Sequence, residues 1–154
     1  MRAYVCVNLR CRYQTVVIKY DDTPNPSFVI HSGNGKLIPM RVSVFRIEKP
    51  NGDGPYSDAD SRITEHMNAV HGDADHPDPS EDPMLDYINE DESCGFANLC
   101  DLKAWFEGYG DVLAGAGYII SIYTMPLQYV RYGNNQCLFL KDYAALPESM
   151  PIYF

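Results

Sequence analysis

The chain has 154 residues, 45% of them hydrophobic, with a formal net charge of −9. That length lets one ordinary domain bury a core without disulfide or metal staples. The charge is local: residues 57–92 hold twelve acidic residues against the single Arg62, so this stretch carries −11 and the rest of the chain +2, a balance that excludes general binding to nucleic-acid phosphates.

Residues 1–39 read as short strands. Tyr4-Val5-Cys6-Val7, Thr15-Val16-Val17-Ile18 and Phe28-Val29-Ile30 are β-branched or aromatic runs, divided by Asp21-Asp22-Thr23-Pro24-Asn25-Pro26 and followed by Gly33-Asn34-Gly35. Met40-Arg41-Val42 also has the form of a translation start. Residues 1–39 therefore read either as an N-terminal β extension or as a gene-start artefact, and 40–154 as the core. A further strand over 41–47 alternates Val42, Val44 and Arg46 on one face with Ser43, Phe45 and Ile47 on the other.

Residues 50–56, Pro-Asn-Gly-Asp-Gly-Pro-Tyr, are turn chemistry. A short helix over 61–70 follows, with Ile63, Met67 and Val70 at helical spacing after the capping residues Asp60 and Ser61. From 71 to 92 the composition is Asp, Glu, Pro and His with few apolar anchors (Met84, Leu85, Tyr87 and Ile88), which predicts a long acidic surface loop.

The best-organised stretch is 94–139. After Cys94-Gly95-Phe96-Ala97, an amphipathic helix over 98–107 carries Leu99, Leu102, Trp105 and Phe106 on one face, with Asn98 as its cap and Asp101 near the positive end of its dipole. Residues 111–116 give another turn or two before Gly117 stops them. Strands follow over 118–123, 128–132 and 136–140, the last two separated by Gly133-Asn134-Asn135. Pro147 and Pro151 bracket a tail whose terminal aromatic residues, Tyr153 and Phe154, are expected to dock on the body.

No apolar run approaches the ~20 residues that span a bilayer, and the start lacks the pattern of a secretory signal. The expectation is a soluble cytoplasmic protein with no membrane contact. The five cysteines (Cys6, Cys11, Cys94, Cys100 and Cys137) are odd in number, match no paired zinc motif and fit a reducing compartment. Cys100, beside the apolar helix face, reads as a small buried hydrophobe.

Three constellations invite chemistry. His66, His71, Asp73, Asp75 and His76 have enough ligand types for a metal, but their spacing matches neither a zinc site nor a calcium loop, so they read as solvated groups of the acidic loop. The acidic segment could meet a basic protein groove by charge complementarity, though its prolines and irregular spacing argue against a rigid phosphate mimic. Arg46 lies among apolar strand neighbours, where a guanidinium is costly to bury unless an anion meets it. A bound pyrophosphate is one such partner, and Glu48 or a cross-strand acid is another.

The order Val44-Phe45-Arg46-Ile47-Glu48, Gly54-Pro55-Tyr56, Cys94-Gly95-Phe96-Ala97, Trp105-Phe106 and Gln136-Cys137-Leu138-Phe139 resembles that of a set of small uncharacterised proteins encoded by tailed bacteriophages, over about residues 42–144. More remotely, the layout is similar to the ADP-ribosyltransferase fold, a split sheet with NAD in a cleft. The resemblance implies that Arg46 and Tyr56 hold NAD, that Phe96 takes the small or aromatic position before the helix, and that Gln136 stands where the family has a catalytic glutamate. Glutamine keeps the shape of that group and loses its charge, and the Ser-Thr-Ser signature of many members is missing. Transfer activity would then need Glu107, Asp142, an acid from the loop or the substrate's own nucleophile.

The fold expected is a single α+β domain, a mostly antiparallel split sheet with one or two packed helices. Its inward residues are Val42, Val44, Phe45, Leu99, Leu102, Trp105, Phe106, Leu113, Ile119, Ile120, Ile122, Leu138 and Phe139. Two functions of different class follow. One is a phage enzyme using NAD to modify a host target in the host cytoplasm. The other is a non-catalytic acidic protein that inhibits a host nuclease or defence factor.

Overall fold

Residues of high β propensity in a two-residue alternation make Arg41–Glu48 the central strand, β5. In the computed structural model, which describes residues 2–7, 14–19, 29–31, 37–57, 61–71, 76–85 and 87–154, four strands precede it. They are β1 (Arg2–Val7), β2 (Gln14–Lys19), β3 (Val29–His31) and β4 (Leu37–Pro39), joined as two antiparallel pairs, β1 with β2 and β3 with β4. Phe28 and the turn residues 21–26 and 33–35 lie outside the described residues.

β5 pairs antiparallel along its whole length with β7 (Ile119–Pro126), from Arg41 opposite Pro126 to Glu48 opposite Ile119. The other edge of β7 takes β10 (Glu148–Met150). A second antiparallel sheet consists of β6 (Glu92–Gly95), β9 (Cys137–Leu140) and β8 (Val130–Tyr132), in the order β6-β9-β8. The sheets meet at one bridge, where Phe45 N–H donates to Phe96 O at 2.9 Å and Phe96 N–H donates to Phe45 O at 2.8 Å. Gly95 is required at this joint, because a Cβ there would lie 2.6 Å from Val44 Cγ1 and 3.1 Å from Phe45 O. The domain is therefore α+β with a split antiparallel sheet, as the sequence predicts.

Among the described residues two apolar clusters lie on either side of the split. Val44, Tyr123, Met125, Val130, Cys137 and Phe139 cluster on one side. On the other, Ile47, Phe96 and Ile120 pack against α1 (Ser61–Val70), α2 (Leu99–Trp105) and α3 (Gly110–Gly115) through Met67, Leu102, Trp105, Phe106 and Leu113. Asn98 caps α2, its Oδ1 accepting from Asp101 N–H at 2.9 Å. α3 ends in a paired cap: Tyr118 N–H donates to Leu113 O and Gly117 N–H to Ala114 O, both at 3.0 Å, which needs the left-handed φ of 86° at Gly117.

Several expectations change. β6 and β10 form where the sequence shows the end of an acidic loop and a Pro-bracketed tail, because each finds an open strand edge to pair with. In the tail Ile152 is buried while Tyr153 is 75% exposed and Phe154 lies at the surface, so the aliphatic residue does the docking. Of the four loop anchors only Leu85 is buried, the others being exposed. Val42, Phe45, Leu99, Ile119 and Ile122 are half-buried rather than core. Cys100 is exposed, whereas Cys137 is buried, and burial pushes its thiol pKa up to about 12. No helix among the described residues is long and apolar enough to cross a membrane.

Candidate functional site

A cavity of about 890 Å³ opens beside the joint of the two sheets. Arg46, Tyr56, Phe96 and Gln136 all line it, although they come from β5, the turn after it, the bridge and the start of β9. Lys141, His71, His76 and Trp105 line it as well.

One end is basic. Arg46 Nε donates to Glu48 Oε2 at 3.0 Å, so the carboxylate two residues along the strand is the partner of this arginine, and Arg46 Nη1 donates to the carbonyl of Cys94 at 2.5 Å. Lys141 Nζ donates to the same Glu48 oxygen at 2.7 Å and to Gly52 O at 3.2 Å. The Tyr123 hydroxyl donates to Glu48 Oε1. Burial by itself would raise the Glu48 carboxyl, but hydrogen bonds from Lys141, Tyr123 and Ser121 together with the Lys141 charge hold it below the ordinary carboxylate range. Gly54 makes room for the guanidinium, since a Cβ would lie 2.7 Å from Arg46 Nη2.

Another part of the wall is aromatic. Trp105 Nε1–H donates to the Tyr56 hydroxyl at 2.7 Å, and that hydroxyl is hydrogen-bonded to His71 Nδ1. An indole nitrogen can only donate, so the Tyr56 oxygen accepts from Trp105 while the same hydroxyl is hydrogen-bonded to the imidazole. Burial pushes the Tyr56 phenol well above its usual range. His76 stacks on His71 with ring centres 4.0 Å apart and meets Trp105 edge-on at 4.9 Å, while Phe96 packs on Trp105 at 5.5 Å. His66 packs instead against the ring of Tyr109, and Asp73 and Asp75 lie outside the described residues.

The rim is a strap of the acidic segment. Asp78 caps the 3-10 turn Pro79–Glu81, accepting from Ser80 N–H at 2.8 Å. Gln136 Nε2 donates to Pro77 O at 3.1 Å, so this carboxamide ties the strap to β9. Asp82 accepts from the backbone of Met84 and, across the chain, from Asn134 N–H at 2.5 Å and Asn134 Nδ2 at 3.0 Å. The Met84 N–H, followed by these donors, overrides burial and holds Asp82 below the usual carboxylate range. Farther along, Arg131 clamps the segment with a two-pronged bond to Glu92 (2.8 and 2.7 Å) and bonds to Leu85 O and Tyr87 O. Two acids of the segment thus serve inside the fold rather than on a free acidic face.

Reading the sequence alone missed Lys141, Trp105 and the histidine pair as wall residues. A signal for Lys141 was present: a cation directly after the apolar run Cys137–Leu140 is placed by that strand at the sheet end. Glu107 and Asp142, offered as substitute acids, do not line the cavity, whereas Asp78, Glu81 and Glu92 do.

The fold and cleft define an α+β protein with a ligand-sized hollow at the parting of a split sheet. Residues 40–153 match the family described as Bacteriophage T4 Y00F protein, and the chain belongs to that family. This agrees with the resemblance to phage proteins read over about 42–144. A comparison with curated proteins finds no match, and neither does a comparison with solved structures.

Proposed function

We propose that this phage protein binds NAD in the cleft and acts as an ADP-ribosyltransferase-like protein on a host target. One observation carries the reading: four residues remote in sequence, Arg46, Tyr56, Phe96 and Gln136, line one hollow of about 890 Å³, a size suited to a large organic ligand. The hollow pairs a basic end with an aromatic wall, and a dinucleotide pairs a diphosphate with planar rings. In a transfer the ribose–nicotinamide bond breaks with its electron pair going to the nicotinamide ring nitrogen, and a target nucleophile bonds to the ribose carbon and loses its proton. Gln136 brings no charge to this step, and its Nε2 is engaged with Pro77 O. Carboxylate help therefore comes from the strap, where Asp78 and Glu81 line the cavity.

Thermal stability with and without NAD tests the reading. At a hundred times its dissociation constant a ligand adds about 2.7 kcal/mol, and an Arg46→Ala variant that stays folded loses that gain. No gain in the unaltered protein overturns the reading. A host protein bound less tightly once Asp and Glu of the acidic segment are neutralised is then the expected finding for a non-catalytic inhibitor.

A further inference from the structure

We infer that the basic end of the cleft is a diphosphate site in which Lys141 is a second binding cation beside Arg46, with Glu48 holding both in place. The inference deepens the NAD reading at one end of the cleft, resting on it for the dinucleotide and on the local geometry for the diphosphate.

The Glu48 side chain is 4% exposed, and Oε2 takes both cations, Arg46 Nε at 3.0 Å and Lys141 Nζ at 2.7 Å. Because the two nitrogens share one oxygen, they lie no farther apart than those two bonds laid end to end. Two positive charges this close against one carboxylate leave one positive charge in excess within this cluster. Oε1 accepts from the Tyr123 hydroxyl.

Both cations keep donors to spend. Arg46 uses Nε and one hydrogen of Nη1, and its Nη2 has no partner among the described residues; Lys141 uses two of its three hydrogens. A guanidinium fork suits one phosphoryl group and the ammonium a second, so the pair matches a diphosphate better than a monophosphate. Of the acids that line the cavity, Glu92 is neutralised by Arg131, while Asp78 and Glu81 keep their charge on the strap. The diphosphate comes from free inorganic pyrophosphate or from a dinucleotide.

Titration calorimetry with inorganic pyrophosphate and, separately, with NAD separates the cases, using the unaltered protein, Lys141→Met, Lys141→Arg and, as a remote control, Lys103→Met. We expect pyrophosphate to bind the unaltered protein, Lys141→Met to weaken it about tenfold, Lys141→Arg to restore most of the loss, and Lys103→Met to change nothing. Binding also weakens as salt rises. Thermal midpoints without ligand identify any unfolded variant, and Lys141→Arg tests the site if Lys141→Met fails to fold. Pyrophosphate binding without NAD binding sustains the diphosphate site while the NAD reading falls. NAD binding that weakens in Lys141→Met without pyrophosphate binding sustains it for the dinucleotide alone. Affinities for both ligands indifferent to Lys141, or no binding of either, overturn it.

Discussion

Arg131 joins the acidic segment to the second sheet, and replacing it with Met keeps its stem while deleting its donors. Among the described residues four hydrogen bonds disappear: two to Glu92, one to Leu85 O and one to Tyr87 O. Glu92, whose side chain is 5% exposed, then loses its counter-ion, while Arg131 itself is 34% exposed. Stranding one partner of a buried pair costs ~3–5 kcal/mol, and the partial exposure of the arginine lowers this, so about 3 kcal/mol is expected. In a domain of this size that is a fall of about 10 °C in Tm. Urea unfolding followed by the fluorescence of Trp105, the single tryptophan, measures it. Arg131→Lys recovers only a minor part, because the fork is gone. The sign with pH is fixed: the hydrogen bond from Arg131, against burial and with help from Asn89, holds the folded Glu92 carboxyl below its unfolded value. Its contribution is present above the unfolded pKa of ~4.3 and is lost as pH falls through the folded one. The gap between unaltered protein and variant must therefore close in acid. A loss below about 1 kcal/mol, or a gap that stays constant on acidification, refutes the clamp.

Three further outcomes are expected. Glu48, Asp82 and Glu92 all have lowered folded values, so stability is highest above ~pH 4.5 and declines as acid protonates them, a trend read from urea midpoints between about pH 7 and pH 3 and contradicted by a flat profile. In Gly54→Ala the new Cβ displaces Arg46 Nη2, the end of a flexible side chain, so stability changes by less than about 1 kcal/mol while the NAD-induced thermal shift shrinks; a full shift counts against Arg46 as the anchor. β1 to β4 pair only as β1 with β2 and β3 with β4 among the described residues, so a chain starting at Met40 keeps cooperative unfolding, and loss of the folded circular-dichroism spectrum counts against a separable extension.

What the sequence reveals of this protein follows its periodicities. The i, i+3 spacing of Leu99, Leu102 and Trp105 states which helix face turns inward, the alternation in 41–48 states that the stretch is a strand, whose two faces are both covered (Val44 on one, Ile47 on the other), and Asn98 and Gly117 mark helix ends by local chemistry alone. β6 and β10 have no such pattern. Each is a three- or four-residue strand made stable by a partner edge elsewhere in the chain, which no local window reports. The site divides in the same way. Arg46 was readable because a guanidinium among apolar neighbours demands an anion, and Glu48 was among the partners proposed for it. The Tyr56–Trp105 bond joins residues 49 positions apart, and the Gln136–Pro77 bond joins residues 59 apart, so the wall and the rim exist only in three dimensions.

The split of the sheet, the arginine and the cleft are one feature. At the joint, Phe45 and Phe96 exchange backbone hydrogen bonds; one residue farther along β5 and two residues back on β6, the carbonyl of Cys94 accepts from Arg46 Nη1 instead of from a backbone amide. A side chain replaces the next rung of the ladder, so the strands part there and the gap opens as the cavity. Arg46→Ala consequently removes both the rung and the charge, and a lost ligand response in it has two causes. Arg46→Gln separates them, since its carboxamide still donates while the positive charge is gone. The variant is expected to keep within about 1.5 kcal/mol of the original stability, the scale of a single hydrogen bond, and to lose the response to NAD. An NAD-induced shift that survives in Arg46→Gln would mean that the guanidinium holds the two sheets together and nothing more.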